Sequence, residues 1–215
     1  MNTSPFPGRR ALLLGAFALA GAALLQGCFP LVAVGIGAGA VMIADRRTPG
    51  AYVDDESIEW KAADTVRKHF GTLNHVVVTS YNRNVLLTGE VQNDSARAEA
   101  ERLVRGVANV RSVVNELVVG PASSLTDRSN DSLITSNVKT RFLNNAQFSF
   151  NHIKVITEAG VVFLLGLVTQ AEGNQAAEIA RTSRGVKRVV KVFEYVGENE
   201  AQKIDDTSAS PPEAP

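Results

Sequence analysis

Val85–Val91 reads VLLTGEV, and Val162–Val168 reads VFLLGLV. Each is an apolar, β-rich run with a single glycine in the same place, Gly89 in the first and Gly166 in the second. Short runs of this kind bounded by turn formers predict strands. Further along, RGVANV answers RGVKRV, which sets Gly106 opposite Gly185 after two extra residues in the later copy. His75–Val119 and His152–Val196 are therefore two copies of one unit, the most informative pattern in the middle of the chain.

A helix is expected ahead of each copy. Ile58, Ala62 and Val66 fall at i, i+4 and i+8, and Ile134, Val138 and Phe142 repeat that spacing. Such a stripe is one face of an amphipathic helix. Asp55 and Asp131 stand just before the stripes, suited to N-cap or first-turn positions with Ser57 opening the first helix. Strands follow at Val76–Thr79 and Val85–Val91, split by the Asn82-Arg83-Asn84 hairpin signal. Their counterparts, Ile153–Thr157 and Val161–Val168, are split by Glu158-Ala159-Gly160. Second helices are predicted at Asp94–Arg105 and Ala171–Arg181, and closing strands at Ser112–Val119 and Arg188–Val196. Each unit thus reads α-β-β-α-β, an α+β arrangement with two helices on one face of a three-stranded mixed sheet.

That order, with a glycine inside the second strand and a Gly-Val turn before the last, resembles the BON domain. The resemblance covers Asp54–Val196, with the first domain at 54–120 and the second at 121–197. Gly89 and Gly166 carry a structural reading: a glycine in a strand marks a bulge or a close approach, here of the overlying helix or the other domain. Gly106 and Gly185 follow helices where C′ caps belong.

The beginning of the chain addresses the envelope. Arg9-Arg10 precede an apolar run, Ala11–Leu25, which is short for a bilayer-spanning helix of about 20 residues. Leu25-Gln26-Gly27-Cys28 resembles a bacterial lipobox, with Gln26 where a small residue is usual, and Cys28 is the only cysteine. The resemblance implies removal of residues 1–27 and acylation of Cys28. Several acyl chains anchor a domain durably, each buried methylene contributing about 0.8 kcal/mol. Phe29 follows the cysteine where inner-membrane lipoproteins of Gram-negative bacteria carry Asp, and that resemblance implies the outer membrane's inner leaflet. The alternative is a longer uncleaved anchor that continues through the apolar run Phe29–Ala44. Residues 28–53 then form a lipidated apolar segment and polar linker, with Asp45–Gly50 as its polar part. The acidic, Pro/Ser-rich tail 198–215 is expected to be disordered.

Composition excludes more than it assigns. The chain carries 22 Lys+Arg against 22 Asp+Glu, so there is no global nucleic-acid signature. A lone cysteine leaves no disulfide to form. His69, His75 and His152 fall in no ligand spacing, and no nucleophile elbow, P-loop or dinucleotide glycine set is present. No catalytic, cofactor or metal residue is assigned, and the expected class is a non-enzymatic binding module.

Charge divides the copies unequally. Asp54–Val119 holds eight Lys/Arg and ten Asp/Glu, whereas Ser124–Val196 holds nine and six. Near an anionic leaflet each basic residue contributes about 1 kcal/mol, which points to the second domain. The BON lipoproteins imply the same element: the first helix of the second domain binds anionic phospholipid, in support of outer-membrane integrity and partly near division sites. Carried onto this chain, the site residues are Leu133, Ile134, Asn137, Lys139 and Arg141. Leu133 would insert among acyl chains, with Lys139, Arg141 and Arg128 meeting phosphates. The family has an aromatic residue where Leu133 stands and a basic one where Asn137 stands. The bland alternative is a core helix with a solvated outer face. A rival cluster, Arg184, Lys187, Arg188 and Lys191, suits an edge strand guarding against aggregation. Other functional readings are an adaptor for outer-membrane assembly or division proteins, an osmotic-stress periplasmic BON protein, and glycan binding. Glycan stacking would call for exposed aromatics, and Trp60, the sole tryptophan, is expected on the first helix.

Overall fold

The computed structural model describes residues 45–71 and 74–209. The signal segment, Cys28, the apolar run 29–44 and the last residues of the tail lie outside the described residues. Helix α1 (Pro49–Phe70) begins well before the expected Ser57. Thr48 caps it by accepting the Ala51 amide at 3.1 Å, and Pro49 occupies the first turn, where its missing N–H costs nothing. Strand β1 (His75–Tyr81) pairs antiparallel with β2 (Asn84–Val91), and after α2 (Asp94–Arg105) strand β3 (Ser112–Asn115) returns parallel to β2. The expected single closing strand is interrupted, and Val118–Val119 form a separate β4 on the end of β2. Asn115 makes the break: its side chain accepts from Leu117 N and donates to Arg97 O and the Glu101 carboxylate.

The second unit repeats the plan. Helix α3 (Leu125–Leu143) and a short 3-10 turn, Phe150–His152, lead into β5 (Ile153–Glu158) and β6 (Val161–Val168). Helix α4 (Gln170–Arg181) connects to β7 (Arg188–Tyr195), which pairs parallel with the full length of β6. Contrary to the expected disorder, the tail forms α5 (Glu198–Ala209). Ala201 is buried, Ile204 packs against the core and Asp205 binds Arg46, so an otherwise acidic helix is docked.

Asp55 and Asp131 are not caps. Each is buried within its helix and grips the facing β-turn. Asp55 accepts the amides of Asn82 and Arg83, both at 2.7 Å, and Asp131 accepts those of Ala159 and Gly160, both at 2.8 Å. The turn residues Asn82, Arg83 and Ala159 have φ of 49°, 64° and 52°, in the left-handed region that non-glycine residues avoid. Two short charge-assisted hydrogen bonds per turn hold them there.

Alternation on β2 and β6 organises the core. Val85, Leu87 and Val91 face α1 and α2, and Val162, Leu164 and Val168 face α3 and α4. The intervening Leu86, Phe163, Leu165 and Leu167 point the other way and share a third cluster with Tyr81. The sheet faces left bare by the helices therefore pack on each other, giving one continuous interior across both units. Polar contacts rim this interface: Lys154 pairs with Glu59 at 2.7 Å and Arg188 with Glu116 at 3.0 Å.

The segment expected as a free linker is a strap. Arg46 is 6% exposed, binds Glu172 and Asp205 with both arms of its guanidinium, and reaches Leu167 O. Arg47 contacts Asp55 at 2.9 Å and stacks over the Tyr81 ring, 4.3 Å from its centroid. Consecutive arginines thus join the chain's entry point to both units.

The strand glycines answer a different neighbour from the one expected. A Cβ on Gly89, at φ +106°, would lie 2.0 Å from His75 O, and one on Gly166 would lie 2.5 Å from His152 O. The close approach is by backbone at the start of the partner strand, His75 in β1 and His152 in the turn just before β5, not by an overlying helix or the other unit. Gly106 ends α2 in a right-handed conformation, and α4 is capped by Thr182 instead of Gly185.

Candidate functional site

Helix α3 starts with a capping box in which Ser124 and Asp127 satisfy each other's backbone amides. The Ser124 hydrogen bonds hold the Asp127 carboxyl below its ordinary range, suiting a negative group at a helix N-terminus. Ile134, Val138 and Phe142 face inward. The outward face is mostly Ser and Thr, broken by Leu125, Leu133 and Leu143, which are 80%, 69% and 56% exposed.

Beside Leu133 lies a surface depression of about 390 Å³, lined by Asn130, Leu133, Ile134, Asn137, Arg184 and Gly185. Gly185 explains how a residue from the α4–β7 turn arrives there. Its φ is +88°, and a Cβ on it would come 2.9 Å from the Ile134 side chain, so only glycine seats this turn directly on α3. Arg184 then stands exposed at the rim, with no hydrogen bond or ion pair among the described residues.

The five residues expected on this helix separate into distinct places. Leu133 is outward, Asn137 is partly exposed at the depression, and Lys139 is exposed. Ile134 is 4% exposed and belongs to the core, so it reaches the depression only as part of its floor. Arg141 is committed inward: its guanidinium donates to Ile179 O at 2.6 Å and Ser183 Oγ at 2.8 Å. It closes the C-terminal end of α4 and is not presented to solvent anions. Arg128 donates to Ser123 Oγ at 3.2 Å. In the rival cluster, Lys187 donates to Ala159 O, Arg188 pairs with Glu116 and Lys191 contacts Asn174. Arg184 is the member left over, and sequence spacing gave no signal that it neighbours Leu133.

The arrangement offers an apolar side chain beside a guanidinium and two amide side chains. It suits a ligand with a hydrocarbon part next to an anionic, hydrogen-bonding head. Among the described residues no helix is long and apolar enough to cross a membrane. The histidines sit beside carboxylates: His69 near Glu99, His75 near Glu90, and His152, which is buried, near Glu172.

Comparison with known proteins gives consistent matches. The BON domain family model matches residues 54–121 and again 130–197. The chain is 42% identical over 201 residues to the outer membrane lipoprotein DolP of Haemophilus influenzae, covering 91% of this chain and 100% of that protein. It is 38% identical over 157 residues to the 21 kDa hemolysin of Actinobacillus pleuropneumoniae, covering 71% of this chain and 79% of the hemolysin. It is 32% identical over 144 residues to the osmotically-inducible protein Y of Escherichia coli K12, covering 65% and 72% respectively.

Proposed function

The chain belongs to the BON domain family, and from that premise we propose that it is an outer-membrane lipoprotein, anchored at Cys28 and facing the periplasm, that binds anionic phospholipid through the outer face of α3 and supports envelope integrity. The observation that carries this reading is Leu133, 69% exposed beside the unpaired Arg184. A leucine inserted below the headgroups gains about 1.5–3 kcal/mol from burial. A guanidinium at an anionic surface adds about 1 kcal/mol. Lys139 keeps the phosphate contact expected of it from the sequence, and Arg184 takes the place of Arg141. With the lipid anchor, α3 needs only weak affinity, because tethering makes the second contact intramolecular.

Co-sedimentation of the soluble part with phosphatidylglycerol-containing vesicles tests the site. Leu133→Glu is expected to weaken binding more than tenfold, and Arg184→Glu about tenfold, with a steep loss in salt. Equal binding to neutral vesicles, or no effect of either substitution, would remove α3 from the account. In cells, Cys28→Ser should leave the product unacylated and off the membrane, read by intact mass and fractionation. A second reading, a protein adaptor, draws on Trp60 and Val53, 70% and 64% exposed on the first unit's helix α1. Capture of a protein partner abolished by Trp60→Ala, with vesicle binding unchanged, would favour it.

A further inference from the structure

One margin of the sheet-on-sheet interface is polar and joins the two units. His75 opens β1 and stands opposite Glu90 on β2, while Glu158 closes β5 of the second unit. An imidazole nitrogen and one oxygen from each carboxylate all lie within 4.8 Å of one another. His75 Nδ1 is 3.1 Å from Glu90 Oε2, and that oxygen also accepts the Ser123 amide at 3.1 Å. Glu90, 9% exposed, is therefore aimed by the segment that links the units.

Glu158 stands differently. It is half-buried, and its carboxylate makes no hydrogen bond or ion pair among the described residues. Arg128 gives its Nε to Ser123 Oγ and supplies no direct partner. A second orphan lies on the same face of β2, two residues from Glu90: the Thr88 hydroxyl, 1% exposed and without a hydrogen-bond partner. Two carboxylates from separate units gathered around one imidazole repel each other unless a proton or a metal ion joins them. The imidazole selects between cation classes, since calcium and magnesium prefer all-oxygen cages whereas zinc-type ions take nitrogen and carboxylate together.

We propose that His75, Glu90 and Glu158 form a three-ligand site for a divalent transition-metal ion of the zinc type, which fastens the two BON units to each other. Metal–ligand bonds of about 2.0–2.2 Å set ligand atoms roughly 3.5 Å apart, so the His75–Glu90 pair already has the required spacing. Glu158 closes the remainder by side-chain rotation, which no hydrogen bond opposes. The fourth position falls to water. No sequence motif announces the site, because its ligands come from three strands in two units.

The test uses detergent-solubilised full-length protein stripped with EDTA and dialysed, without lipid vesicles, so its outcome is separate from that of lipid binding. Titration with Zn²⁺ at neutral pH is expected to give saturable binding of one ion per chain and a higher melting temperature. Glu158→Gln, which disturbs no hydrogen bond, is expected to keep the fold and the apo melting temperature while weakening Zn²⁺ at least tenfold. His75→Gln should do the same, and Co²⁺ should report nitrogen ligation in its visible spectrum only with His75 present. Absence of saturable Zn²⁺ binding, unchanged affinity in Glu158→Gln, or an equal melting shift with Mg²⁺ would each overturn the proposal.

Discussion

At Asp131 a single carboxylate serves two neighbouring amides, Ala159 N and Gly160 N, from within a helix 28 and 29 residues away in sequence. Asp55 does the same for the first unit's turn and also receives the Ser80 hydroxyl and Arg47. An aspartate just ahead of an apolar stripe looks like a helix start, and local sequence alone supports that reading. What reverses it is that both helices begin earlier, at Thr48 and Ser124 caps, which turns the aspartates inward. Asp131→Ala is expected to lower stability by about 2–4 kcal/mol, since two charge-assisted bonds disappear and Ala159 loses its support at positive φ. Denaturant unfolding checks this. A loss below about 0.5 kcal/mol would mean the turn holds its shape unaided.

Helix α5 is the element that composition concealed. Its acidic residues read as a solvated tail, yet Asp205 meets Arg46 at 2.7 Å, and Arg46 also holds Glu172 at 2.6 Å. Burial alone would raise the Glu172 carboxyl, but the neighbouring His152 ring and Arg46 guanidinium hold it down at about 2, against an ordinary 4.5. A depressed carboxyl contributes stability that is present above its unfolded value and is lost as pH falls through the folded one. The junction of strap, α4 and α5 should therefore loosen as pH drops from about 4.5 toward 2. Hydrogen exchange of α5 amides over that window is the measurement, and Glu172→Gln should flatten the dependence. Helix α3 makes the complementary point. Its inward stripe was legible from spacing, but which cations on its surroundings stay available was not, because Arg141 finds its acceptors on α4 and Arg184 arrives on a turn seated by Gly185.

Across the whole molecule, the two units share an interior in which β2 and β6 are buried on both faces. Phe163 is 2% exposed at the centre of that shared layer. Phe163→Ala is expected to cost about 3–5 kcal/mol and to split one calorimetric transition into two as the units uncouple. A single unsplit transition with a small shift would show that the units are joined mainly by the strap and the rim ion pairs. The duplication, the α-β-β-α-β order and the inward stripes were determined by sequence, because periodicity and turn chemistry act over a few residues. VFLLGLV, apolar apart from its glycine, already fits a strand buried on both faces, whereas Thr88 and Glu90 conceal the same burial in VLLTGEV. The tertiary structure alone decided which face meets which, which charges are spent and which remain free. Those outcomes rest on partners as far apart as Arg46 and Asp205, 159 residues along the chain, and no local pattern encodes a contact that only the packed sheets bring into range.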